Sequence, residues 1–339
     1  MTEALPKPCR FYPLAHGRYE VAAGLRPLGT DTGNGPNDGK IFLLDSEFPK
    51  YRRTKELART ERLAKYYPPN VDFDPPAFRA VTRFVVDSLA KEWPEHFRLA
   101  EDGGRSILEC SLTADRIVFD GEMNLISASA VSGGPNPPYR DLFDALASQV
   151  QEDLSVWKRD PEEKMHDEIA GQTDAPKEWM AAIHLCYPNH WGAEEKIGNA
   201  FNHVHRPVAA FGKLAKAAPG LVEMMTFKGP FTRFAWGVAT DTELNHHPKN
   251  EFQGRQFDPA NPGLFLRIER QTLSSFADVG ASLFTIRTYF LDCAKDLTGP
   301  ERDALIRAID SMSPESLVYK GMTKTKEPIK AWLRQLGTI

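Results

Sequence analysis

Two neighbouring segments near the carboxyl end of the chain alternate between apolar and polar side chains. They span residues 264–273 and 282–290, and the polar side chains of the first are Arg267, Glu269 and Gln271. Successive side chains of a strand point to opposite faces of a sheet, so the apolar and polar sets occupy different faces. Because residues 274–280 are short enough to connect two strands, the sequence predicts an antiparallel hairpin.

The polar face of the first segment has two interpretations. It is either the wet side of a half-exposed sheet or the lining of a polar pocket. Arg267 and Arg270 fall on opposite faces of the strand, so they cannot both line one cavity. Glu269 shares a face with Arg267, where it either pairs with that arginine or offers its carboxylate to a ligand.

A helix is predicted in the central segment, residues 191–208. One helical face carries Ile197, Ala200, Phe201, Val204 and His205. His203 points to the other side. Pro207 disfavours helical dihedral angles at the residue before it, so the helix should end at about His205. The unpaired carbonyls of the last turn can then orient the His205 ring. Such an imidazole suits a metal or heme iron, and a core histidine paired with protein atoms is the alternative.

The rest of the chain mixes helical and strand patterns, which predicts an α+β fold. Residues up to about 105 are expected to be mainly helical, with a strong helix after Pro75 and Pro76. Short runs rich in Ile, Leu and Val, separated by Asp and Gly, predict hairpins over residues 106–130. Helical spacing returns over residues 140–157.

Loops and domain boundaries follow from the polar and Gly- or Pro-rich stretches. Residues 133–138 are interpreted as a rigid surface loop rather than an interdomain linker. The charged residues 159–177 are expected to form a solvated excursion. We expect a single domain over residues 24–319.

Charge and composition exclude several classes of protein. The net charge of −4 gives no reason to expect nucleic acid or an anionic membrane as a partner. No apolar run approaches the roughly 18 residues of a membrane span, which predicts a soluble, cytoplasmic protein. The four cysteines form no CxxC pair, so any metal must come through histidine, carboxylate or a cofactor.

Four motifs occur in an order that resembles a known family. They are residues 151–154 (QEDL), the central segment 191–208, residues 266–273 (LRIERQTL) and residues 283–289 (LFTIRTY). Together they are similar to the alpha-subunit family of heme-dependent oxidative N-demethylases, over nearly the whole chain. The resemblance implies a PAS-like antiparallel sheet that holds heme b, with extensive helical additions. It also implies that the chain is a monooxygenase that removes a methyl group from a small secondary amine such as dimethylamine and releases formaldehyde.

The resemblance also implies partner subunits. Electrons would come from flavin and iron–sulfur centres on those partners, and formaldehyde would pass to a tetrahydrofolate-binding subunit. The chain itself has no nucleotide-binding fingerprint and no cysteine cluster, so it has no flavin or iron–sulfur site of its own.

Heme chemistry assigns roles to particular residues. An axial ligand, cations for two propionates, and a pocket for dioxygen and substrate are all required. His205 is the candidate axial ligand, and Glu269 is the candidate partner of an ammonium substrate. Tyr187 is a candidate hydrogen-bond donor to bound oxygen, with a packed aromatic as the alternative. The candidate cations, each with an ordinary ion pair as the alternative, are Lys196, Arg233, Arg267, Arg270 and Arg287.

The chain departs from the family pattern at two positions. Ala235 stands where the family usually has asparagine in an Arg-x-Asn-Trp block, and Ala209 stands where it usually has proline. The first change removes an amide that can form hydrogen bonds in the pocket, so it bears on the substrate rather than on heme binding.

Two other functions fit the same motifs. A PAS-like heme protein often acts as a sensor or gas-binding module, although this chain carries no attached output domain. The third hypothesis is a scaffold of the same fold that has lost heme, and the presence of His205 and both hairpin motifs argues against it.

Overall fold

The computed structural model describes residues 4–21, 23–130, 133–160, 178–209 and 211–336. Most of the predicted solvated excursion, residues 161–177, lies outside the described residues. Among the residues described, no helix has the length and apolar character needed to cross a membrane.

Strands and helices alternate irregularly along the described chain. The strands, in chain order, are β1 (Arg26–Pro27), β2 (Phe97–Asp102), β3 (Arg105–Cys110), β4 (Asp115–Asp120), β5 (Leu125–Ser129), β6 (Asp153–Arg159), β7 (Glu178–His184), β8 (Phe231–Ala239), β9 (Phe265–Phe276) and β10 (Ala281–Asp292). The α-helices are α1 (Phe48–Tyr66), α2 (Pro75–Glu92), α3 (Leu142–Ala147), α4 (Phe201–His205), α5 (Phe211–Phe227), α6 (Gly299–Asp310), α7 (Pro314–Tyr319) and α8 (Lys326–Gln335).

The strands form two antiparallel sheets. The larger has the order β1-β8-β9-β10-β6-β7, and the smaller has the order β2-β3-β4-β5. Every neighbouring pair runs antiparallel. This confirms the predicted α+β class and the hairpins expected over residues 106–130.

The hairpin predicted from the alternating segments is also confirmed. Strands β9 and β10 pair without interruption from Phe276 opposite Ala281 to Phe265 opposite Asp292. The connection ends at Gly280, whose φ of +58° lies in the left-handed region that favours glycine. A long uninterrupted register fixes which side chains share a face.

We call the face of the larger sheet that carries Arg267, Glu269 and Gln271 the front face, and its reverse the back face. Arg233 of β8 lies opposite Gln271 on the neighbouring strand, and Ala235 lies opposite Glu269. These residues therefore lie side by side on two central strands.

Each face of the larger sheet packs against different elements. On the front face, Trp157 of β6 and Leu273 of β9 join Phe201 of α4 and Val222 of α5 in one buried cluster. The back face packs on the amino-terminal segment and the carboxyl-terminal helices. The cluster there includes Phe11, Leu266, Ile268, Leu305 and Ile309.

The predicted helix after Pro75 is confirmed as α2. The side chain of Asp74 caps it by accepting the Ala77 backbone N–H at 2.9 Å. Val81, Val85 and Leu89 are fully buried along one side. Each such side chain contributes roughly 1.5–3 kcal/mol of hydrophobic stabilisation.

The helix predicted over residues 140–157 is wrong beyond its first half. Helix α3 ends at Ala147, and the strand β6 begins at Asp153. All seven residues of β6 are buried, since it lies inside the sheet between β10 and β7. A strand covered on both faces has no alternation, so its apolar residues also fitted a helical period.

Candidate functional site

Helix α4 begins later than the sequence predicts. Gly198 has a φ of +74°, and Ala200 is extended, so the helix starts at Phe201 rather than at Ile197. The Gly198 N–H donates to the Met180 carbonyl at 2.8 Å, which ties this segment to the edge strand β7. The predicted end at His205 is confirmed.

The first turn of α4 is held by a carboxylate from β7. Both oxygens of Glu178 accept the backbone N–H of Phe201, at 2.9 and 2.8 Å. Burial raises the pKa of Glu178 to about 7, and the hydrogen bond from Phe201 opposes that shift. Glu178 therefore caps the amino terminus of α4, the role that an N-cap side chain usually has.

His205 is oriented by its own helix, as the sequence predicts. Its Nδ1 donates to the Phe201 carbonyl at 2.8 Å, and its ring stacks on the Phe201 ring at 4.0 Å. His205 is half-buried, whereas His203 is exposed. Because a carbonyl only accepts, Nδ1 carries the proton and Nε2 keeps its lone pair. Among the described residues, no group donates a hydrogen bond to that Nε2.

The surroundings of His205 keep its ring neutral. Burial lowers the pKa of His205 to about 4, and the positive charges of Arg233 and Lys196 lower it further. Lys196 lies beside the last turn of α4, where its Nζ donates to the Val204 carbonyl at 2.8 Å. At neutral pH the imidazole is therefore able to act as a ligand through Nε2.

Polar side chains form a cluster on the front face, the same face of the sheet against which this helix packs. We call Arg233, Arg267, Glu269 and Gln271 the front-face cluster. Gln271 donates from Nε2 to Glu269 Oε2 at 3.0 Å, and Arg267 Nε lies 3.8 Å from Glu269 Oε1. Burial lowers the pKa of Arg233, and the Glu269 carboxylate opposes that shift. Arg233 is thus the link between His205 and Glu269.

Several buried polar atoms of this cluster have no hydrogen-bond partner. Arg267 donates from its NH2 group to the Tyr187 carbonyl at 3.0 Å, but its Nε and NH1 atoms are unpaired, as is Oε1 of Gln271. The Arg267 side chain is only 4% exposed. Unpaired buried polar groups are rare and costly in native proteins, so this group is expected to meet a ligand.

Lys320 belongs to the same region, and sequence reasoning did not find it. Its Nζ donates to the Trp236 carbonyl at 2.8 Å. Burial lowers the pKa of Lys320, and the nearby Glu269 carboxylate opposes that shift. No local pattern marks this lysine, because the fold brings it from the turn after α7 to the front of β8.

Two of the predicted cofactor-binding arginines lie on the back face, where both already have hydrogen-bond partners. Arg287 donates from NH2 to Asp45 Oδ2 at 2.7 Å. Arg270 donates to backbone carbonyls, the shortest contact being 2.6 Å to Lys40. The thickness of the sheet separates both arginines from His205.

Tyr187 is fully buried, and its hydroxyl is already engaged. The hydroxyl donates to the backbone carbonyl of Tyr51 at 2.9 Å, and the two rings pack edge to face at 5.0 Å. Asp153 accepts the Tyr187 backbone N–H at 2.9 Å. These contacts fit the packed-aromatic alternative, because the hydroxyl already has an acceptor.

Three other buried histidine and cysteine side chains have close polar neighbours elsewhere in the fold. His184 Nε2 lies 3.2 Å from Asp144 Oδ1, and burial lowers the pKa of His184 to about 4. Burial also raises the pKa of Cys186, which keeps it a thiol at neutral pH. His246 Nε2 lies 3.2 Å from Asp241 Oδ1.

The protein offers few metal ligands at this site, which suits a metal ion that a cofactor already coordinates. Within the described ranges, no group of three or more His, Cys, Asp or Glu side chains is arranged to hold a metal ion. One neutral imidazole nitrogen is what heme iron takes from a protein at an axial position. The unpaired Nε and NH1 atoms of Arg267 are buried groups that can each donate to a carboxylate of heme, so the residues present fit that group.

Comparison with known families identifies the family of the chain. The family model described as haem-dependent oxidative N-demethylase, alpha subunit-like, matches residues 36–330. The match covers nearly the whole chain and includes α4 and the β9–β10 hairpin. The chain therefore belongs to the haem-dependent oxidative N-demethylase alpha-subunit-like family.

Proposed function

We propose that this protein is the heme-binding catalytic subunit of an amine monooxygenase. It removes a methyl group oxidatively from a small secondary amine such as dimethylamine and releases formaldehyde. A single domain over residues 24–319 holds heme b on the front face of a PAS-like antiparallel sheet. Family membership supports the heme-dependent demethylation, and the site supports the roles of individual residues.

The state of His205 is the observation that carries the proposal. Its Nδ1–H is held by the Phe201 carbonyl, its ring is neutral, and its Nε2 has no partner among the described residues. A histidine that ligates a metal almost always donates its other ring N–H to a carbonyl or carboxylate in this way. His205 is therefore assigned as the axial ligand.

Cations on the front face and beside α4 are assigned to the heme propionates. Arg267 offers two buried unpaired nitrogens, Nε and NH1, and a charge-assisted hydrogen bond from either one to a carboxylate is strong. Arg233 and Lys196 lie close enough to His205 to lower its pKa. Heme supplies the activation of dioxygen when it is bound.

Glu269 is assigned to the substrate. A secondary amine is a cation at neutral pH, and burying that charge costs several kcal/mol unless a carboxylate compensates it. Oε1 of Glu269 lies 3.8 Å from Arg267 Nε, beyond hydrogen-bond distance. Glu269 and Arg267 therefore form an ion pair without a hydrogen bond at Oε1, and we assign Oε1 to an ammonium N–H of the substrate.

We assign the supply of electrons to partner subunits. The chain has four free cysteines in separate parts of the fold, Cys9, Cys110, Cys186 and Cys293. An iron–sulfur cluster needs several thiolates close together. We therefore propose partner subunits that carry flavin and iron–sulfur centres, and a tetrahydrofolate-binding subunit that accepts formaldehyde. The alpha-subunit description of the family supports the existence of partners.

Visible spectra of three proteins test the heme assignment. The purified protein, reconstituted with hemin, should show a Soret band that changes on reduction with dithionite. His205→Ala should abolish the band or change the coordination of the iron, and His203→Ala is the matched control because that ring is exposed. The reverse result would move the ligand to His203.

Addition of dimethylamine separates the proposed enzyme from a heme sensor. Binding beside the heme should shift the Soret band of the wild-type protein. A Soret band that responds to small gases but to no amine would support the sensor and contradict the demethylase.

A further inference from the structure

Gln271 stands out among the buried glutamines because one end of its amide is unpaired. Among the described residues three glutamines are buried, Gln149, Gln151 and Gln271. Gln149 accepts from Thr113 at 2.6 Å and donates to Asp115 at 2.7 Å. The amide of Gln151 is paired at both ends. Gln271 has a partner for its Nε2 but none for its buried Oε1.

The neighbouring carboxylate fixes which way this amide points. An ionised carboxylate only accepts hydrogen bonds, so Gln271 must present Nε2 to Glu269, at 3.0 Å from Oε2. The reverse orientation would place two acceptors against each other. Oε1 of Gln271 is therefore left as an acceptor on the front face, beside the carboxylate.

We infer that Gln271 is a second substrate-binding residue, which selects amines that carry at least two N–H bonds when protonated. The inference rests on the proposed function, in which Glu269 binds the ammonium group. Glu269 Oε1 accepts one N–H, and Gln271 Oε1 accepts the other. The donor from Gln271 to Glu269 also holds the carboxylate in place.

The number of N–H bonds on the protonated amine determines the expected selectivity. A protonated secondary amine has two N–H bonds and satisfies both acceptors, whereas a protonated tertiary amine has one and leaves Gln271 Oε1 unpaired. A hydrogen bond to a charged group contributes enough to change a binding constant by about tenfold to a hundredfold. Ala235 lies opposite Glu269 on the adjacent strand and has no polar side-chain atom to offer a further acceptor.

Binding of dimethylamine and trimethylamine to the wild-type protein and to Gln271→Met tests the inference. Methionine keeps a similar length and removes both amide groups. Wild-type protein should prefer dimethylamine by at least about tenfold. In Gln271→Met this preference should fall to within about threefold, mainly through weaker binding of dimethylamine. Gln151→Met is the control, and it should leave the preference unchanged because Gln151 pairs with Asp45.

Other outcomes overturn the inference. If Gln271→Met weakens both amines equally, Gln271 only positions Glu269. If wild-type protein binds the two amines equally, no such selection exists. This measurement tests the inference even if the variant fails to fold. Amine binding is followed by titration calorimetry as well as by the Soret band. A calorimetric preference without any heme spectrum would reject the proposed function and keep the inference about Gln271.

Discussion

The ion pair between Arg287 and Asp45 gives the sharpest test of which arginines hold the fold together. Both groups are buried, with side chains 1% and 3% exposed. Removing one partner of a buried pair strands the other charge, which typically costs about 3–5 kcal/mol. Asp45 keeps hydrogen bonds to its Oδ1 from Gln151 Nε2 and from the Glu47 backbone N–H, both at 3.0 Å. We therefore expect Arg287→Met to cost about 3 kcal/mol, at the lower end of that range.

Urea unfolding of the heme-free protein measures this cost. The double variant Arg287→Met with Asp45→Asn should lose about 2 kcal/mol less than the sum of the single variants, because the stranded charge is gone. Arg116→Met is the control for the same substitution in an exposed pair, since Arg116 lies 3.9 Å from Glu109 with both side chains about half exposed. It should change stability by less than about 0.5 kcal/mol. A cost for Arg287→Met as small as that of the control would refute the reasoning.

Two further predictions concern the support of α4 and the response to pH. Glu178→Ala removes the acceptor of the Phe201 N–H, so it should destabilise α4 by about 1 kcal/mol and speed the loss of hemin to a scavenger protein about fivefold. Glu178→Gln keeps an acceptor, so it should lose hemin at the wild-type rate. Equal rates of hemin loss in the two variants would contradict this. Burial lowers the pKa of His184 from its usual value to about 4, so the unfolded chain takes up this proton first as the pH falls. The stability due to neutral His184 is full above about pH 6.5 and is lost toward pH 4. The urea midpoint of unfolding should therefore fall less between pH 7 and pH 4.5 in His184→Gln than in wild type. Equal falls in the two proteins would show that another group causes the loss of stability.

Local periodicity was enough to predict part of the candidate site. The alternation along β9 placed Arg267 and Glu269 on one face and Arg270 on the other, as the register confirms. Pro207 predicted the end of α4, and the helical period separated the half-buried His205 from the exposed His203. These features depend on neighbours within one or two turns of chain.

The features that sequence reasoning missed depend on distant partners. Gly198 takes its hydrogen bond from the edge strand β7, and this contact moves the start of α4. The partner of Arg287 is Asp45, 242 positions away in the chain. Lys320 reaches the front face through the packing of α7. No spacing rule connects such residues, because each pairing is a property of the packed fold rather than of a local segment.

The strict alternation of β9 also bears on how this chain can change during evolution. Its front-facing positions carry Arg267, Glu269 and Gln271, while the positions between them supply the packed cluster and the Arg270 contacts of the back face. Under the proposed function, mutations on the front face would change ligand preference while the packing of the back face continues to stabilise the sheet. Single replacements at front-facing sites such as Ala235 would then be enough to change amine preference, whereas an insertion of one residue in β9 would exchange the roles of the two faces along the whole strand.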